Sequence, residues 1–215
     1  MTSVEKTAAH VKKKFSGEAS GHDWWHMYRV WQLSKYIARK EGGANTHIVE
    51  LAALLHDIAD FKFHDGDIEA GPRETRKWLK SIKEDEKTID LVEDIVRNIS
   101  FKGSNVKNNL RTLEGKIVHD ADKLDAIGAI GIARVFTFTG AHGRPIYTPG
   151  EQAVSHSSLN EYIASKPSAI THFHEKLLLL KDRMLTKTGR QLAQRRHRYM
   201  EKFLEEFSRE WTGQS

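Results

Sequence analysis

The sequence predicts an all-α protein of about eight to ten helices, and three observations carry that prediction. Apolar residues recur three and four apart along most of the chain, while the strict alternation that marks half-buried strands is nearly missing. Cap residues and glycines stand where these periods begin and end. No repeat and no Pro/Gly/Ser-rich linker interrupts the 215 residues, so residues 1–215 are expected to form a single domain.

Taken in order, Val4, Ala8, Val11 and Phe15 mark a first helix that stops at Ser16-Gly17. From Gly21 a long helix runs through Trp31, Leu33, Ile37 and Ala38 to a stop near Gly42-Gly43. Asn45-Thr46 can cap a third helix, whose apolar residues Val49, Leu51, Ala52, Leu54 and Leu55 lead through His56-Asp57 to Asp60. Phe61 to Asp67 reads as a loop, and helices follow over roughly 68–82 and 85–99. The polar stretch 98–109 is loop-like. Helical spacing resumes as one run from Leu113 to Phe138, where Ala126, Gly128, Ala129, Gly131 and Ala133 allow close helix contact. Residues 139–158 read as a long loop, and Leu159 to Trp211 as two long helices broken near Thr188-Gly189.

Composition narrows the classes of function. No apolar run reaches 18 residues, which excludes a membrane span, and the N-terminus lacks the basic-then-apolar layout of a signal peptide. Zero cysteines remove disulfides, thiolate metal sites and cysteine nucleophiles together, and a cytoplasmic protein is expected. The formal charge of +5, from 34 basic and 29 acidic residues, is mild. Its excess gathers at Lys12–Lys14, Lys102–Lys116 and Arg190–Arg198, with no aromatic–basic motif beside these clusters. Phosphate-bearing small molecules are therefore expected as partners ahead of nucleic acid, and no membrane is expected.

Twelve histidines are the more unusual feature. His56 and Asp57 follow Leu54 and Leu55 inside an apolar pattern, where two ionisable groups need something to offset their desolvation. A divalent cation would do so; a helix C-terminal pair is the plainer reading of a lone His-Asp. His22 and His26 lie four apart on one helix face, but His-Asp-Trp-Trp-His lacks the glutamate of a zinc-protease signature. In Val118-His-Asp-Ala-Asp-Lys-Leu-Asp125, residues His119, Asp122 and Asp125 are spaced by threes and share a face, while Asp120 points elsewhere. Trp24 and Trp25 could stack a base, although aromatics at a helix start more often serve a core.

His26-x-x-Arg29-Val30, Leu55-His56-Asp57 and Ala121-Asp122-Lys123-Leu124, in that order, resemble the His…His-Asp…Asp pattern of the HD-domain metal-dependent phosphohydrolases. The flanks Gly21-His-Asp-Trp-Trp-His and Asp120-Ala-Asp-Lys-Leu-Asp-Ala-Ile-Gly-Ala-Ile-Gly131 resemble the stand-alone bacterial subfamily acting on nucleotides. The resemblance implies one HD-type helical domain, with a metal-binding core over about 20–135 and C-terminal helices over about 159–213 packed on it. It implies metal ligands His26, His56, Asp57 and Asp122, with Asp120 competing for the last place. Two imidazoles and two carboxylates suit Mn²⁺ best, with Mg²⁺, Co²⁺, Ni²⁺ or Fe²⁺ as substitutes. Asp60 is the first candidate for the group that orients or deprotonates water, followed by His22 and Asp125. Lys102, Asn98, Lys123 and Lys176 are candidate phosphate contacts, as is Arg97. His64, His142, His156, His172 and His174 could be ligands for a second metal, with bystanders the favoured reading. The implied activity is nucleoside triphosphate pyrophosphohydrolysis. The alternatives are a nucleoside monophosphate phosphatase, an idle nucleotide-binding sensor module, and a helical nucleic-acid binder motivated by the pI near 9.3. A homodimer is compatible with the sequence.

Overall fold

The computed structural model describes residues 1–16, 23–59, 67–99, 109–154 and 166–214. Among them lie nine α-helices and one 3₁₀ segment, and no strand. They cluster into two compact units, one up to Ala121 and the other from Asp122 onward. The division falls inside an unbroken helix rather than at a linker, which is why composition shows no boundary there.

The first unit is built around α3 (Thr46–Leu55). Val49, Leu51, Ala52, Ala53, Leu54 and Leu55 are all wholly buried. Each of its buried leucines and its valine is worth roughly 1.5–3 kcal/mol of transfer free energy. Asn45 starts the helix by accepting from the N–H groups of His47 (3.1 Å) and Ile48 (3.4 Å). Around it pack α1 (Ser3–Lys14), α2 (Trp24–Glu41) and α5 (Glu86–Ile99), with α4 (Ala70–Ser81) against α5. A reciprocal cap of Thr2 with Glu5 opens α1, and Gly42, at φ 72°, closes α2 in the left-handed region that glycine tolerates. The α3 run stops at Leu55, earlier than its apolar spacing predicts, with His56 as the cap and a turn after it.

The second unit opens on the last turn of α6 (Leu113–Asp125), followed by α7 (Gly128–Ala141). The single run expected from Leu113 to Phe138 is thus two helices, bent by 62°. Two glycines make the corner. Gly128 has φ 78°, and a Cβ on Gly131 would lie 2.3 Å from the Ala126 carbonyl oxygen. Small residues in this stretch serve a turn as much as a helix contact. Residues 142–154 have no helix and are held to the start of α8 (Ala169–Glu175): the N–H groups of Ala169 and Ile170 donate to the carbonyls of Pro145 and Ile146 at 3.1 and 3.0 Å.

After α8 come the 3₁₀ segment Leu177–Arg183 and α9 (Lys187–Trp211). The break expected at Thr188-Gly189 is instead the first turn of α9, because the Thr186 hydroxyl accepts from the Gly189 N–H at 2.9 Å. The described part of 159–211 therefore holds one short and one long helix. Phe136, Phe173 and Phe203 form the unit's aromatic centre, with ring centroids 5.9–6.2 Å apart.

Candidate metal centre

His26 sits in the first turn of α2, placed by a cap that the sequence reading did not single out. Asp23 accepts from the backbone N–H of His26 at 2.9 Å, fixing the start of the helix and with it the histidine. His56 ends α3. Its Nδ1 lies 2.8 Å from the Ala53 carbonyl, which can only accept, so Nδ1 carries the proton and Nε2 presents a lone pair.

The two Nε2 atoms are 3.2 Å apart, on rings only 1% and 3% exposed. Asp57 brings a carboxylate oxygen to 3.6 Å from His26 Nε2 and 3.5 Å from His56 Nε2. On α6, Asp122 completes a group with His26 and His56 whose ligand atoms all lie within 4.8 Å of one another. Asp120 is directed elsewhere: wholly buried, it takes His119 Nδ1 at 3.0 Å. Of the two aspartates in competition, the geometry brings Asp122 to the imidazoles.

These donors fit a divalent cation. Imidazole lone pairs and carboxylate oxygens are directed at a small volume, and Asp57 and Asp122 add two negative charges there at neutral pH. One positive charge is near, since Lys123 Nζ is 3.2 Å from Asp122 Oδ2. Half-buried carboxylates beside two buried imidazoles are best offset by a cation.

The remaining predicted residues divide by place. Lys123, 9% exposed, spends its ammonium on Asp122 rather than facing solvent. Asp125 is buried and takes Arg134 Nη1 at 2.8 Å, so it is held at the α6–α7 corner. Asn98 folds its amide back onto Asp94, donating to the Asp94 carbonyl at 2.8 Å and the carboxylate at 2.9 Å. Arg97 bridges Glu69 (3.0 Å) and Glu93 (2.6 Å), an ion-pair network joining α5 to the start of α4, and both carboxylates hold its guanidinium well above the usual range. Lys176 caps α8 through its backbone N–H, which donates to His172 at 3.1 Å. Burial, with the nearby cations of Lys176 and Arg144, pushes the His172 imidazole down to about 3. His142 stacks on Phe138 at 4.0 Å, and His174 is exposed. Asp60, His22, Lys102, His64 and His156 lie outside the described residues.

A family model for the HD domain matches residues 24–127, a span that holds all four of these histidine and aspartate positions. The protein YpgQ of Bacillus subtilis (strain 168) is 39% identical over 98% of this chain and 94% of its own length. The chain belongs to the HD superfamily. A crystal structure of an HD-superfamily hydrolase from Bacillus thuringiensis superposes with a TM-score of 0.74 at 41% identity, covering 97% of this chain and 96% of that one. The crystal structure of YpgQ in complex with ADP gives a TM-score of 0.77 at 36% identity, covering 99% and 100%. The present chain is accordingly an HD-superfamily hydrolase with a histidine–aspartate group able to hold a divalent metal.

Proposed function

We propose that the protein is a divalent-metal-dependent nucleotide phosphohydrolase, and that it cleaves nucleoside triphosphates to the monophosphate and pyrophosphate. The observation that carries the reading is the convergence of His26, His56 and Asp122 on one small volume, with Asp57 beside the imidazoles. That YpgQ has been crystallised in complex with ADP supports a nucleotide as the class of substrate.

His26, His56, Asp57 and Asp122 would hold the cation, and Mn²⁺ suits two imidazoles and two carboxylates better than Mg²⁺ does. A cation bound there supplies a Lewis acid that polarises a phosphoryl group and acidifies water. The protein's own part is to fix the ligands. The Ala53 carbonyl keeps the proton on His56 Nδ1, and Lys123 holds one oxygen of Asp122. Asp60 is our assignment for the group that takes the proton from the attacking water, with His22 as the alternative. Water oxygen adds to the α-phosphorus, the bond from that phosphorus to the bridging oxygen breaks, and pyrophosphate leaves. Lys102 and Lys176 are the cations we assign to the phosphates.

The test is turnover of a panel of nucleoside tri-, di- and monophosphates with Mn²⁺, with Mg²⁺ and with chelator. Wild type should release pyrophosphate from triphosphates with Mn²⁺ and nothing with chelator, and the double variant His56→Ala/Asp57→Ala should release nothing. Phosphate released from monophosphates alone would move the assignment to a monophosphate phosphatase. Nucleotide binding without product, under any metal, would end the enzymatic reading and leave a sensor module.

A further inference from the structure

The two halves of α2 differ in chemistry, and the half turned away from His26 carries aromatic rings and cations. One half of the helix is inward: Met27, Val30 and Ile37 are wholly buried, His26 and Ala38 nearly so. The other half holds Trp24, Trp25, Tyr28, Trp31, Lys35, Tyr36, Arg39 and Lys40. At 100° per residue these eight fall on one side of the helix. Trp25 is 58% exposed, Tyr28 39% and Tyr36 37%.

The aromatic rings stand in contact along the axis. Tyr28 lies 5.9 Å from Trp24, 5.9 Å from Trp25 and 6.2 Å from Trp31, centroid to centroid. Cations continue the row: Lys35 sits 5.2 Å from the Trp31 ring, and Arg39 and Lys40 sit 5.7 and 5.9 Å from the Tyr36 ring. Among the described residues, a carboxylate enters the row. Glu50 accepts from Trp31 Nε1 at 2.7 Å and lies 3.7 Å from Lys35, which leaves Arg39 and Lys40 as the better phosphate partners.

We infer that this face binds single-stranded nucleic acid, bases stacking on Trp25 and Tyr28 and the backbone running over Arg39 and Lys40. The charge is complementary to a polyanion, and exposed rings spaced along a helix match the repeating bases of an unpaired strand, whose π faces a duplex hides. A lipid surface is the poorer fit, because an interfacial helix inserts a broad apolar stripe, and Met27, Val30 and Ile37 of α2 are turned inward. The inference is independent of the phosphohydrolase reading, since it uses the opposite half of the helix from His26.

The experiment is fluorescence polarisation with a fluorescein-labelled 20-nucleotide oligothymidylate, in chelator so that no turnover intervenes, from 50 to 300 mM salt. Saturable micromolar binding is expected. Trp25→Ala/Tyr28→Ala should weaken it at least tenfold, while Trp25→Phe/Tyr28→Phe should keep it within about threefold. Arg39→Gln/Lys40→Gln should reduce the slope of log affinity against log salt by about 1.4, two contacts at roughly 0.7 each, and should leave metal-dependent nucleotide turnover unchanged. Circular dichroism melts confirm that each variant is folded. Any of four results overturns the inference: no saturable binding at 50 mM salt, binding indifferent to both sets of variants, a duplex bound as tightly as the single strand, or a change of oligomeric state in the aromatic variant. Capture by phosphatidylserine vesicles with the same dependence on Trp25 and Tyr28, without oligonucleotide binding, overturns it in favour of a membrane.

Discussion

At the scale of single residues, the histidines and aspartate that the structure groups were legible and their supports were not. His56 stood out as an ionisable side chain among apolar neighbours, and His26 and Asp122 through the resemblance to the HD pattern. The Ala53 carbonyl that fixes the His56 tautomer leaves no trace in sequence, since every residue carries a carbonyl. Lys123 was read as a phosphate contact, and in the structure its ammonium sits 3.2 Å from Asp122. We propose that it positions Asp122 for the metal. Lys123→Met should keep the packing of its stem and remove the charge, weakening Mn²⁺ binding about 10–100-fold. Isothermal titration with Mn²⁺ reads that loss directly. At saturating Mn²⁺ the variant should recover most of its kcat with KM for the nucleotide little changed. A KM raised more than tenfold at saturating metal would return Lys123 to the phosphates.

Among the elements, periodicity located helices well and corners poorly. From Leu113 to Phe138 the apolar spacing barely falters, so one helix is the natural reading, and the 62° bend rests on glycine geometry instead. The error at Thr188-Gly189 has the opposite sign. A glycine there looked like a stop, but Thr186 caps the helix and turns the glycine into its first turn. The corner gives a sharp prediction. Gly131→Ala would bring Cβ to 2.3 Å from the Ala126 carbonyl oxygen, a backbone atom that cannot swing aside. Alanine is the better helix former, so propensity alone would predict a gain of up to about 1 kcal/mol. The clash should reverse this and cost roughly 1–3 kcal/mol. Gly140→Ala, in the same helix with open space around its Cβ, should be neutral or stabilising. Urea titrations of the two variants decide it, and equal midpoints would show that the α6–α7 corner yields.

For the whole molecule, the all-α class followed from a periodicity that almost every segment shares, while the clustering of the described chain into two units has no counterpart in its composition. The same scale exposes a conflict that metal binding should resolve. The centre gathers two imidazoles and two carboxylates where an apolar protein would place aliphatics. Without a cation, each carboxylate is half-buried beside two buried imidazoles and has lost part of its solvation, so the centre should lower the stability of the fold it occupies. With a cation bound only to the folded state, stability rises by RT ln(1 + [L]/Kd), about 2.7 kcal/mol at one hundred times Kd. For a chain of this length that corresponds to roughly 5–10 °C in thermal midpoint. Asp57→Asn separates the two effects, because it removes one charge and one strong ligand while keeping shape. In chelator, Asp57→Asn should melt at or above wild type; with Mn²⁺ at one hundred times the wild-type Kd the order should invert, wild type gaining the full shift and the variant little. Calorimetric scans with and without metal measure all four midpoints. If the apo variant melted well below apo wild type, the Asp57 carboxylate would be a structural partner of His26 and His56, and the centre would be built for stability rather than for a cation.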